Sequence, residues 1–170
     1  MSSEIRLKVP FKFQKTDKGC LLACIEMVAR YHHNPFSVAD FVKYNKPTKY
    51  GYDIFCVTDQ LKKQGYNLEL GHYDQNLKID KSSRIVEKIK PDLYKIRSFI
   101  RNKEPVIVHL NAKRLGAQED EEIHAVVVIG FDRKGFFILN PPEIGEEYVL
   151  IKDFMQFWEE AGGYYLVIKK

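Results

Sequence analysis

What this sequence lacks narrows it first. No apolar run approaches the roughly 20 residues that a bilayer-crossing helix needs, so membrane insertion is not expected. The opening stretch, Met1-Ser2-Ser3-Glu4-Ile5-Arg6-Leu7-Lys8-Val9-Pro10, has no long apolar region and no small-residue cleavage site, so no secretory signal is expected. Three cysteines are few and odd in number, which argues against a complete disulfide framework. The expected setting is a reducing cytoplasm, where a lone thiol either fills core or does chemistry. A net charge of +4 is spread over scattered lysines with no dense basic block, so nucleic-acid binding finds no support. There is no internal repeat and no linker long enough to divide domains, so residues 1–170 read as one domain with a real core.

What is present is organised around residues 14–31. Gln14 to Gly19 is polar and turn-rich, and Cys20 to about His32 is a helix with little polar surface. Cys20 therefore stands on the first turn of a helix, where unpaired N–H groups and partial positive charge favour thiolate over thiol. Cys20, Cys24, Met27, Val28 and Tyr31 share one face at helical spacing. Glu26 and Arg30 form an i,i+4 pair on the expected exposed stripe.

The rest of the chain reads as alternating short elements. Residues 5 to 13 alternate loosely as an extended lead-in, with Pro10 arguing against a central strand. Ser37 and Asp40 form a capping box before a helix from Val38 to Tyr44. A third helix runs from about Asp53 to Gln64, ended by Gly65, and Tyr66 to Tyr73 alternates as a strand. Residues 74 to 91 are polar, with helical hints at Ile85, Val86 and Ile89. Asp92 caps a helix from Leu93 to Asn102. Strands are expected over 106–110, 123–131, 136–139, 147–150 and 164–168, with a hairpin turn at Asp132 to Gly135. A helix over 151–161 carries Trp158, the sole tryptophan, which reads as packing. The expected class is α+β: a helical N-terminal half, with its buried cysteine-bearing helix packed on a mostly antiparallel sheet.

A thiolate nucleophile needs a base and a group to orient that base. Of the five histidines, His32 and His33 lie at the far end of the helix, roughly 18 Å from its head at ~1.5 Å per residue. His72 ends a strand with no evident partner, and His109 reads as sheet packing. His124 stands at the start of the most apolar strand, and the following hairpin returns Asn140 beside it. An amide next to an imidazole N–H fixes the tautomer and aims the other nitrogen outward. Spacing thus gives Cys20, His124 and Asn140 as nucleophile, base and orienter. Gln14, with the Cys20 backbone N–H, is placed to stabilise an oxyanion. No metal or organic cofactor is needed for such chemistry. Cys24 and Cys56 read as core, and i,i+4 cysteines without a matching pair are poor zinc evidence. The acidic run Glu119 to Glu122 reads as a solvated loop bordering His124.

These residues give the sequence a resemblance to a family. It resembles the bacteriocin-processing, double-glycine leader peptidases, which are papain-like cysteine peptidases, and their stand-alone relatives. Gln14 precedes Cys20 by six residues, Ala23-Cys24 opens an apolar helical run, Gly51 to Gly65 matches a glycine-led second helix, and His124 is followed by apolar residues, Gly130, Asp132 and then Asn140-Pro141. The resemblance implies a papain-like fold and a cysteine peptidase acting on a peptide or protein substrate. It also implies an ABC exporter as partner, on a separate chain, or else a different substrate. Two positions depart from the family pattern. Gly19-Cys20-Leu21 stands where Asp-Cys-Gly is usual, so a bulkier residue follows the thiol. Asn140 stands where Asp is common, which predicts lower activity or a shifted pH optimum. The same constellation also suits an acyltransferase or deamidase, and a non-catalytic peptide-binding domain would keep the cleft with Leu21 plugging it.

Overall fold

The structure, a computed structural model, describes residues 4–34, 36–73, 86–88, 92–115, 123–143 and 145–169. Among these, five helices surround one sheet. The helices are α1 (Cys20–Tyr31), α2 (Val38–Tyr44), α3 (Ile54–Lys63), α4 (Leu93–Arg101) and α5 (Ile151–Glu160). The strands are β1 (Ile5–Arg6), β2 (Asn67–His72), β3 (Val86–Lys88), β4 (Val106–Asn111), β5 (Ile123–Phe131), β6 (Gly135–Leu139), β7 (Glu146–Leu150) and β8 (Tyr165–Lys169). A 3-10 turn, Ala112–Leu115, follows β4.

The sheet order is β3-β2-β8-β4-β5-β6-β7, and β1 pairs with β5 beyond the point where β4 ends. All pairings are antiparallel except β2 with β3. Strand periodicity splits the core in two. On one face Ile107, Ala125, Val127, Leu139, Leu166 and Ile168 pack with residues of α1, α2 and α3. On the other, Val106, Val108, Val126, Val128, Ile138 and Val167 pack with residues of α4 and α5. The result is a three-layer α/sheet/α arrangement, consistent with the α+β expectation. At Gly130 a side chain would collide with the Ile5 carbonyl of β1, so the close approach of β1 requires glycine there.

Several local signals act as read. Ser37 Oγ accepts the Asp40 N–H at 3.1 Å and Asp92 accepts from Tyr94 at 2.8 Å, each a side-chain N-cap; Asp53, read only as the start of its helix, also caps it by accepting from Cys56 at 2.8 Å. Asp132 Oδ1 accepts from Lys134, Gly135 and the Tyr148 hydroxyl, pinning the β5–β6 turn.

Other expectations are corrected. Val86 lies in a strand, not a helix, because β2 offers it a parallel edge. Ile85 and Ile89 fall outside the described residues, as does the Glu119–Glu122 run. Glu26 is buried rather than on an exposed stripe: α1 is covered almost all round, and the carboxylate is held by Arg30 at 2.8 Å and Lys12 at 3.2 Å. Cys56 is exposed rather than core, since α3 turns Ile54, Val57 and Leu61 inward and leaves position 56 at the rim. His72 is fully buried and stacks on Tyr164, ring centroids 5.4 Å apart, so the strand end has a partner the sequence did not reveal.

Candidate functional site

The site forms where the head of α1 meets the start of β5. Helix α1 is buried from Leu21 to Ala29, and its apolar bulk fixes the helix against the sheet. One turn in, the Cys24 thiol donates to the Ala125 carbonyl at 3.3 Å. Cys20, half-buried, lies one turn earlier, at the head of the helix. His124 lies near enough to act on the Cys20 thiol by hydrogen bond and by charge.

Across the sheet, register carries the next step. Val127 pairs with Leu139 and Val128 with Ile138, so continuing the ladder leaves His124 and Asn140 on one face, diagonal neighbours on adjacent strands. Asn140 Oδ1 lies 2.7 Å from His124 Nε2. The other end of that amide, Nδ2, donates to Glu147 Oε1 of β7 at 2.8 Å. A carboxylate only accepts, so the amide nitrogen faces Glu147 and its oxygen faces the ring. Nε2 must then carry the hydrogen, and Nδ1 is the nitrogen left to exchange a proton with the thiol. His124 and Asn140 are both almost wholly buried, at 4% and 3% exposure, so these hydrogen bonds work in a low-dielectric setting.

The electrostatics separate two thiols on one helix. Burial pushes the Cys20 thiol up, but the hydrogen bond and charge of His124, with backbone hydrogen bonds from Ala125 and Leu21, outweigh it and hold the thiol below its ordinary value. Cys24 has only burial and the nearby Cys20 charge acting strongly on it, and its thiol is pushed well up. His109, on β4 beside β5, is lowered to about 4 by burial and by His124, and its ring packs 5.6 Å from that of Tyr164.

The Gln14 backbone N–H donates to the Pro141 carbonyl at 3.2 Å, which brings the Gln14 loop to the end of β6 beside Asn140. Its side-chain amide donates to Asp17 O at 3.4 Å, and its Oε1 is buried without a hydrogen-bond partner. Leu21 is 2% exposed and sits in the core, so its bulk is turned inward. A cavity of about 290 Å³ opens beside Gly19, lined by Phe13, Leu22, Val38, Val42 and Tyr52 among others. The one member of this constellation that the sequence reading missed is Glu147. The signal was available: it stands seven residues after Asn140, on the strand that the next hairpin lays alongside.

This pairing of a helix-head thiol with a hairpin imidazole bears directly on the comparison with known proteins. The profile of the Peptidase_C39-like family matches residues 6–166. The chain belongs to the Peptidase_C39-like family. Among curated proteins no sequence matches it. Among solved structures, it is similar to a C39-like peptidase from Bacillus anthracis, with TM-score 0.73 and 17% identity, covering 99% of this chain and 98% of that one. It is also similar to a double-glycine-motif protease from an AMS/PCAT transporter in complex with its leader peptide, with TM-score 0.65, 19% identity and coverage of 99% and 98%. The peptidase domain of Streptococcus ComA, a bifunctional ABC transporter, aligns with TM-score 0.65, 19% identity and coverage of 94% and 97%. At such identities the structural likeness concerns the C39, papain-like fold. Among the described residues of this family member, no helix is long and apolar enough to cross a membrane, and no cluster of three or more His, Cys, Asp or Glu residues is arranged to hold a metal ion.

Proposed function

We propose that the chain is a cysteine peptidase that cleaves a peptide bond through Cys20, His124 and Asn140. The observation that carries this reading is the His124 ring held at Nε2 by Asn140 at 2.7 Å, beside a Cys20 thiol that the imidazole holds below its ordinary value. His124 Nδ1 takes the thiol proton. The Cys20 thiolate attacks the scissile carbonyl carbon, and the oxygen becomes an oxyanion. The C–N bond then breaks as Nδ1–H protonates the leaving amine. Water next attacks the thioester, giving its proton to His124, and the thiolate departs as the carboxylate product forms.

The oxyanion falls to Gln14 and the Cys20 backbone N–H. The Gln14 amide is held by a bond of 3.4 Å, near the limit for a hydrogen bond, so releasing it to a developing charge costs little. Substrate side chains would enter the cavity beside Gly19. A peptide substrate is further supported by the leader peptide bound to the transporter protease that shares the fold. An exporter on a separate chain is the partner this reading favours, and a reducing compartment such as the cytoplasm keeps the thiol free.

A thiol-directed activity probe should label Cys20 in the wild type and lose all labelling in Cys20→Ala. A peptide-library digest should then yield fragments with the wild type alone. Labelling without fragments, but with transfer to an added amine, would replace hydrolysis by acyl transfer. No labelling at Cys20 would leave a binding domain.

A further inference from the structure

Three side chains form a row across adjacent strands: His124 on β5, Asn140 on β6 and Glu147 on β7. Glu147 pairs in register with Ile138, two residues before Asn140, so it lies on the same face as Asn140 and diagonal to it. The contacts along the row are 2.7 Å from imidazole to amide oxygen and 2.8 Å from amide nitrogen to carboxylate. An aspartate in place of Asn140 would give the ring both an acceptor and a negative charge. Asparagine gives the acceptor alone. The missing charge is present one residue further out.

We propose that Glu147 is a positioning residue for His124: through the Asn140 amide it fixes the imidazole tautomer and supplies the negative charge that favours the imidazolium. This rests on the Cys20–His124 reading above. The amide is polarised between carboxylate and ring, and hydrogen bonds in such a chain strengthen one another. The geometry also makes the pair a matched set. A second carboxylate at position 140 would face Glu147 across a contact of hydrogen-bond length and repel it. With glutamine at 147, the same carboxylate would receive an N–H.

The surroundings leave the effect readable. Among the described residues, His124 acts electrostatically on Cys20 of α1 and on His109 of β4. His109 stays neutral above about pH 4. Glu146, the neighbour of Glu147 on β7, is paired with Arg6 at 2.9 Å.

The test is an NMR titration of the His124 ring in the full chain carrying labelled histidine. Glu147→Gln keeps an acceptor for Asn140 but removes the charge. It should lower the pH at which His124 loses its proton by about half a unit or more, as loss of a nearby opposite charge does. Asn140→Asp in the native background should melt at lower temperature than wild type. Adding Glu147→Gln should restore the melting temperature and return the His124 midpoint to the wild-type value or above it. A midpoint unmoved in Glu147→Gln would overturn the proposal, whatever happens to stability. So would a double variant no better than Asn140→Asp. Cys20→Ala in the same titration separates the two claims. If it leaves the His124 midpoint unmoved, the thiol–imidazole reading itself fails. If it moves the midpoint and Glu147→Gln does not, only the role of Glu147 fails.

Discussion

The head of α1 and the turn that follows it shift the same functional group in opposite directions. Cys20 and Cys24 lie on one helix, against one strand, and burial pushes both thiols up. Cys24 meets the Ala125 carbonyl, an acceptor that suits a protonated thiol. Cys20 meets an imidazole, whose hydrogen bond and charge lower its thiol. Helix position adds to the contrast, since the free N–H groups of the first turn no longer act one turn in. Neither burial nor helix membership makes a thiol reactive. The partner within hydrogen-bond reach does.

The largest effect should come from deleting one thiol or the other. Cys20→Ala is expected to abolish probe labelling and to lower peptide turnover by at least about 10³-fold, as loss of a nucleophile that works with a base does. Cys24→Ala should still be labelled at Cys20, which intact-mass measurement after alkylation reads directly. Equal loss in both variants would mean that the two thiols are not distinct.

Next in size is the partner itself. Cys20 is held below its ordinary value chiefly by His124, so its alkylation by iodoacetamide should persist below the ~8.5 typical of a free thiol. His124→Ala removes both the hydrogen bond and the charge, leaving burial to raise the thiol. Its alkylation profile should move to higher pH, and the rate at pH 6 should fall about tenfold for every pH unit the profile moves. An unchanged profile would assign the lowering to the helix head rather than to the imidazole. Asn140→Leu should act less strongly. Nε2 loses its acceptor, the ring is free to adopt the wrong tautomer, and a fall of roughly 10–100-fold in labelling at pH 6 is expected, the scale seen when an orienting partner is lost. Asn140→Asp with Glu147→Gln should recover most of that fall.

Why some of this could be read from residues alone, and some not, follows from the range of the interactions. The Cys20 helix, its burial and the caps at Ser37 and Asp92 depend on neighbours within one or two turns, and such patterns are written locally. The meeting of His124 with Asn140 was legible because a hairpin makes a distant pair local: the turn at Asp132 to Gly135 sets the register. Glu147 needed a second hairpin counted through, and the local alternation of Glu146 to Leu150 gave no reason to single it out. The insertion of β8 between β2 and β4, the stacking of His72 on Tyr164 and the parallel pairing of β3 rest on contacts distant in sequence. No period or turn residue encodes them. Cys56 and Glu26 failed for another reason. Helical spacing tells which residues share a face, while what covers that face is decided by other parts of the chain.

A smaller prediction tests burial without a helpful partner, in the core and at a histidine. Cys24→Ala removes one buried sulfur and its hydrogen bond, and should cost about 1–2 kcal/mol by the measure of small core truncations. Chemical denaturation reads this without reference to activity. His109 offers the subtler case, because it is a histidine counterpart of Cys24: partly buried near the same site, but without a group that favours its charge. Its value of about 4, against 6.5 in the open chain, means that the unfolded state takes up the proton first as pH falls. His109 therefore adds nothing to the pH dependence above about 6.5, and stability is lost progressively between about 6.5 and 4. His109→Phe keeps a ring against Tyr164 and removes that uptake. Urea midpoints measured at pH 7, 6 and 5 should fall less steeply in the variant than in the wild type. Parallel slopes would mean that His109 is as free to charge as it is in the unfolded chain, and the contrast between a partnered and an unpartnered imidazole on neighbouring strands would then dissolve.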